Sequence, residues 1–188
     1  NQHLKAKKEV KFKDKLKNLI IEADEISYLK NEEIIFAKGE VFVFDQIKNI
    51  QIFADSITYN KIDNEILSEK NVNVIVSQKN ISIKAKTINV NINEEKIAAD
   101  GDVEFFDKIN DIEVISDKIT YIKNLEKIFT EGETKAVIQS KYKFQSKNVI
   151  YSNKDRKLRS SEKTNIEGQD FAMYELDNFI YDIDKEFL

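Results

Sequence analysis

A chain of 188 residues, 41% hydrophobic and 34% charged, is long enough for one domain and too apolar for a disordered one. A formal net charge of −4 and only two arginines, Arg156 and Arg159, exclude the basic surface and guanidinium forks of a general nucleic-acid binder. The chain has no cysteine and one histidine, His3, which excludes disulfides, thiol catalysis and zinc sites of the usual ligand types.

The N-terminal segment, Asn1–Asn18, is rich in lysine and lacks the apolar run of a signal peptide. Lys5, Lys7, Lys8, Lys11, Lys13, Lys15 and Lys17 would suit a membrane surface or lipid phosphates. Leu4, Ala6, Val10 and Phe12 alternate between them as in a strand, however, so the lysines read as the solvated face of a terminal strand. No stretch approaches the roughly 20 apolar residues of a membrane-spanning helix.

From Leu19 onward a two-strand unit recurs about every 31 residues, shortening by one residue in the last steps. Its first strand carries Leu19/Ile21 then Ile26/Tyr28, and next Ile50/Ile52 then Ile57/Tyr59. Ile81/Ile83 then Ile88/Val90 and Ile112/Val114 then Ile119/Tyr121 follow. Tyr142/Phe144 then Val149/Tyr151 and Ala172/Tyr174 then Phe179/Tyr181 complete the series. Within every copy the parity of the apolar residues slips once, at Ala23-Asp24, Ala54-Asp55, Ala85-Lys86, Ser116-Asp117, Ser146-Lys147 and Leu176-Asp177. A slip inside a strand predicts a bulge or sharp bend that keeps the apolar face inward on both sides.

The second strand of each unit places small residues (Ala6, Ala37, Ser68, Ala99, Thr130, Ser160) near the same level, with Gly39, Gly101 and Gly132 two positions on. Small side chains suit a crowded corner. Polar turns fall at Lys30–Glu33, Lys61–Glu65, Asn91–Lys96, Lys123–Lys127 and Ser152–Lys157, and at the other ends at Asp45–Asn49, Gln78–Asn80, Asp107–Asp111 and Gln139–Lys141. Turns this short join antiparallel neighbours. Stacked in register, the bends predict an all-β molecule in which two antiparallel sheets meet at a crease, like a V. The pattern begins inside one unit and reaches the next at Leu188, without an initiator Met, so the chain reads as a piece of a longer protein with one domain over residues 1–188.

Catalytic constellations are missing from this pattern. Asp24, Asp55, Asp117 and Asp177 hold equivalent places and suggest a carboxylate column for glycoside cleavage or calcium, but Lys86 and Lys147 interrupt it. Alternating charges along a crease are the simpler reading. His3, in its lysine-rich surroundings, reads as a solvated surface residue.

The phrases Ala54-Asp-Ser-Ile-Thr-Tyr-Asn, Ser116-Asp-Lys-Ile-Thr-Tyr and Ala37-Lys-Gly-Glu-Val resemble the OstA-like repeats of lipopolysaccharide transport, over nearly the whole chain from Leu4 to Leu188. The resemblance implies a V-shaped antiparallel β-jellyroll built from ~31-residue two-strand repeats. It also implies an open groove for the acyl chains of lipopolysaccharide, units docking end to end with other OstA-like domains, and a place on the periplasmic face of the outer membrane of a Gram-negative bacterium. No cofactor, metal, nucleic acid or catalysis goes with it. Within the family the favoured member is the N-terminal periplasmic domain of an LptD-like protein, because Gly132–Leu188 looks like the stretch preceding the outer-membrane barrel in some LptD sequences. With no cysteine in the chain, no disulfide to such a barrel is expected. The alternative within the family is the periplasmic bridge LptA.

On this reading Ile52, Ile57, Tyr59, Ile88, Val90, Val114, Ile119, Tyr121, Phe144 and Tyr151 line an uncovered apolar trough, more than a soluble monomer normally exposes. Two other classes remain open on the residues alone. A structural β-solenoid, such as an adhesin or filament module, would have a closed and packed interior. A polysaccharide-active β-helix would show convergent carboxylates in a cleft.

Overall fold

Alternating Ile, Val, Phe and Tyr with polar residues, and no proline to interrupt a ladder, favour strands over helices throughout. The computed structural model describes residues 3–186; Leu188, where the sequence pattern reaches its next unit, lies outside the described residues. Nine long strands run in order as an antiparallel meander: β1 (His3–Asp14), β2 (Leu19–Leu29), β3 (Ile34–Asp45), β4 (Ile50–Asn60), β5 (Glu65–Val76), β6 (Ile81–Asn91), β7 (Lys96–Asp107), β8 (Ile112–Ile122) and β9 (Lys127–Ile138). Six short ones follow: β10 (Tyr142–Lys147), β11 (Ile150–Ser152), β12 (Lys157–Ser160), β13 (Thr164–Glu167), β14 (Met173–Leu176) and β15 (Phe179–Asp182). The only helical turn among the described residues is at Ser77–Lys79.

Every pairing from β1–β2 to β8–β9 shifts register at mid-strand, between Phe53 and Ser56 in β4 and between Ser116 and Lys118 in β8, as the parity slip predicts. The odd strands turn the corner through left-handed backbone. Lys8 and Glu9, Gly39 and Glu40, Lys70 and Asn71, and Gly101 and Asp102 all have positive φ. Lys8 and Lys70 show that side chains do occur in this conformation, at a backbone cost. Space adds to that cost at Gly39, where an added Cβ would lie 2.8 Å from the Asp24 Cβ on β2.

Folded along these bends, the sheet forms two walls. The first holds the segment of each long strand between the crease and the turns around Asp14–Leu19 and Asp45–Ile50; the second holds the other half. The inner faces meet directly. Phe144 of β10 lies 5.1 Å from Phe179 and 5.3 Å from Tyr181 of β15, and Phe105 lies 6.3 Å from both Tyr121 and Tyr151, ring centre to ring centre. The expected trough is therefore shut. Two apolar sheet faces exposed to water have no other stable state than contact, since each apolar Å² removed from water contributes about 25 cal/mol.

Two sequence expectations need correction at the C-terminal end. The bent strand expected to carry Ala172/Tyr174 and Phe179/Tyr181 is not continuous, because β14 belongs to the first wall through β13 while β15 belongs to the second through β12. The bent strand of the preceding unit is likewise cut into β10 and β11. There one bond of each backbone exchange passes to a side chain. Val149 N donates to Thr130 Oγ1 at 2.7 Å while Thr130 N donates to Val149 O at 2.9 Å, and Gly132 N donates to Asn148 Oδ1 at 3.1 Å while Asn148 N donates to Gly132 O at 3.3 Å.

Candidate functional site

The long apolar interior and the mouth above it form the candidate site. All ten residues expected in the trough face inward, on both walls, and each is 2% exposed or less. Ile52, Val114 and Phe144 come from the first wall, and Ile57, Tyr59, Ile88, Val90, Ile119, Tyr121 and Tyr151 from the second. They form one continuous buried track with residues that the sequence reading left off its list: Ile35, Val43, Ile66, Val74, Ile97 and Phe105 of the odd strands. The same two-residue alternation in the second half of each unit marks these positions.

Both rims of the mouth use side-chain caps. On the first, an aspartate opens three of the hairpin turns and caps them: Asp14 Oδ1 accepts from Leu16 N and Lys17 N, Asp45 Oδ1 from Ile47 N and Lys48 N, and Asp107 Oδ1 from Ile109 N and Asn110 N. On the second, Asn60 Oδ1 accepts from Ile62 N and Asp63 N, and Asn91 Oδ1 from Glu94 N. This is the Asx-turn chemistry that favours aspartate or asparagine at such a place. Within each rim successive turns bond through their backbones, as in Ser77 N to Asn49 O at 3.1 Å and Lys123 N to Glu95 O at 2.9 Å.

Across the mouth, polar rungs join the rims, supplemented by a bond from Lys123 Nζ to the Lys48 carbonyl at 3.1 Å. Lys17 donates to Asn64 and to the Lys61 carbonyl, and Lys48 pairs with Glu95. Lys79 lies 2.6 Å from Glu126, Asn110 Nδ2 lies 2.9 Å from Asn153 Oδ1, and Lys141 lies 2.7 Å from Glu186. The basic ends recur on the first rim at the sequence period, and the Lys48 hydrogen bond holds the Glu95 carboxyl below its ordinary range. Exposed pairs of this type contribute at most about 1 kcal/mol each, so burial of the two faces closes the V and the rungs trim its edge.

Every rung is slanted. The turn between β1 and β2 meets the turn between β4 and β5, not the nearer one between β2 and β3, and the later rungs repeat that offset. Strand twist, accumulated over the sheet, shears one wall past the other. Each end is consequently left with an inner face that has no opposing wall. Leu4 of the second wall is 61% exposed at one end, and Tyr174 of the first wall is 48% exposed at the other.

Beneath the rungs stands a column of tyrosines. The Tyr151 hydroxyl donates to Asp107 Oδ2 at 2.9 Å and accepts from Asn110 Nδ2 at 3.0 Å. Tyr59, Tyr121 and Tyr181 are equally buried, and their hydroxyls have no hydrogen-bond partner among the described residues. Burial raises the Tyr181 hydroxyl to about 12 and raises those of Tyr59 and Tyr121 further. Tyr121 and Tyr181 face rim steps where Val76 and Ile138 hold the place of Asp107, whereas Tyr59 faces the step of Asp14, whose Oδ1 accepts from Leu16 N and Lys17 N of its own turn.

The crease, by contrast, carries no convergent carboxylates. Asp24, Asp55, Asp117 and Asp177 are exposed there, and among the described residues no cluster of three acidic or histidine side chains is arranged to hold a metal. Lys86 and Lys147 bind acidic neighbours, Asp102 at 2.7 Å and Glu133 at 2.8 Å. His3 is exposed.

No family model and no curated protein matches the chain. Among solved structures it is similar to LptH of Pseudomonas aeruginosa, described as the LptA homologous periplasmic component of the lipopolysaccharide transport device. Identity is 10%, over 75% of this chain and 80% of that one, with a TM-score of 0.33. A likeness this loose carries no argument about a ligand.

Proposed function

We propose that the chain is a lipid conduit that takes acyl chains of lipopolysaccharide between its two walls and passes them along its length, as an LptA-like bridge in the periplasm. The observation that carries this is the interior: an unbroken apolar track from Leu19 to Ile183, ending at both ends in inner faces without a covering wall. The resemblance of its repeats to the OstA-like family supplies the ligand class. Each acyl methylene that replaces water by wall contributes about 0.8 kcal/mol, and it also replaces the wall-to-wall contact it displaces. Parting the walls around a chain therefore costs far less than parting them around water. The exposed Leu4 and Tyr174 lie on opposite walls, so a second copy stacked end to end would cover both and continue the track. The same geometry would serve the N-terminal domain of an LptD-like protein ahead of an outer-membrane barrel.

The closed packing favours one competing reading, a structural β-solenoid without a ligand. A photo-crosslinking residue at Ile119 separates the two. In the conduit it captures lipopolysaccharide, whereas the same probe at the outward-facing Thr120 does not. No capture at Ile119, or equal capture at both, leaves the structural module.

A further inference from the structure

The mouth combines two features that packing alone does not require. Tyr59, Tyr121 and Tyr181 bury hydroxyls that bond to nothing among the described residues, although phenylalanine would fill the same space without an unpartnered polar atom. Above Tyr59 sits a rung lysine, the Lys17 ammonium 5.8 Å from the centre of the ring. At the steps of Tyr121 and Tyr181 the rung is Lys79–Glu126 and Lys141–Glu186, each glutamate lying in the turn that follows the tyrosine's own strand. The column points at the mouth, because its member Tyr151 reaches the rim residues Asp107 and Asn110.

We propose that each of these steps is a binding site for the anionic head of an amphiphile. A phosphate or carboxylate enters the rung, takes the lysine ammonium from its acidic or amide partner, and accepts a hydrogen bond from the tyrosine hydroxyl below, while its chain lies between the walls. The proposal rests on the reading that chains enter the interior, and adds which part of the ligand the mouth holds. The released carboxylates Glu126 and Glu186 are half-exposed and return to water at little cost. Three equivalent sites, at Lys17/Tyr59, Lys79/Tyr121 and Lys141/Tyr181, let the head step from rung to rung as the chain slides.

Calorimetric titration with dodecyl phosphate, dodecanol and inorganic phosphate, below the micelle concentration, tests this on the wild type and on the Y59F/Y121F/Y181F variant. Dodecyl phosphate is expected to bind at least about tenfold more tightly than dodecanol, as a charge-assisted contact requires. The triple variant should lose that advantage while keeping its dodecanol affinity. A thermal midpoint no lower than wild type shows that the variant is folded, and Y121F alone serves if it is not. Equal binding of dodecyl phosphate and dodecanol, unchanged in the variant, overturns the head site and leaves the conduit standing. Binding of neither overturns both. Inorganic phosphate binding as tightly as dodecyl phosphate would make the mouth a free-anion site and overturn the proposal.

Discussion

Tyr151 donates its hydroxyl across the mouth to Asp107, 2.9 Å away and 44 residues earlier in the chain, and so joins the second wall to a turn of the first. Asp107 is 1% exposed, and its other donors come from its own turn, at Ile109 N, Asn110 N and Asn110 Nδ2. Removing the hydroxyl leaves a buried carboxylate one donor short, which costs about 1–3 kcal/mol. Tyr151→Phe is therefore expected to lower stability by that amount in denaturant unfolding. Tyr121→Phe removes a hydroxyl without a partner and should change stability by less than about 0.5 kcal/mol, or raise it. Equal losses in the two variants would mean that the hydroxyls are equivalent.

At the crease, the crowding of glycines is unequal. An added Cβ at Gly39 meets the Asp24 Cβ at 2.8 Å, whereas at Gly101 it meets the flexible Lys86 Cδ at 2.9 Å. Both glycines have positive φ, so alanine at either bears the left-handed penalty of about 1–2 kcal/mol. Gly39→Ala should cost more than Gly101→Ala, and Asp24→Gly in the Gly39→Ala background should restore part of the difference. A double-mutant cycle with no coupling between positions 24 and 39 would contradict this.

The rungs make the mouth acid-sensitive. The lysine partners of Glu33 and Glu95 hold both carboxyls below the ordinary value of 4.5. A carboxyl depressed in the folded state stabilises it above the unfolded value, and that contribution fades as pH falls through the folded one. Amides at Lys61 and Lys123, which bond to Glu33 O and Glu95 O on the same rim, should lose exchange protection below pH 4.5, once intrinsic rates are corrected. Glu95→Gln should flatten the change at Lys123. Protection independent of pH in the wild type would show that the rungs contribute nothing to the rim.

The sheared ends should drive assembly. β1 pairs only with β2, and β14 only with β13, so each presents an unpaired edge beside an uncovered inner face. Mass measured by light scattering is expected to rise with concentration, and Leu4→Glu or Tyr174→Glu should suppress the rise. Ile109→Glu is the control, since Ile109 is 66% exposed in the turn between β7 and β8, away from either end. A monomer at all concentrations, or equal suppression by the control, would remove the end-to-end contact.

What the sequence by itself determined is local. Alternation decided which side chains of each strand face inward, and the parity slip placed the bends at Ala54-Asp55 and Ser116-Asp117, because side-chain direction in a strand depends only on the count of residues. The inward placement of Ile52, Tyr59, Ile119 and Tyr151 follows from the same count. Tertiary structure decided the rest. Whether the walls close on each other depends on the sum of burial over both faces, which no single strand carries. Which turn meets which across the mouth depends on twist accumulated through several strands, so the slanted rungs Lys48–Glu95 and Lys79–Glu126 have no local signal. The same shear gave Tyr151 a partner in Asp107 and set Tyr121 and Tyr181 against rim steps that carry Val76 and Ile138 in that place.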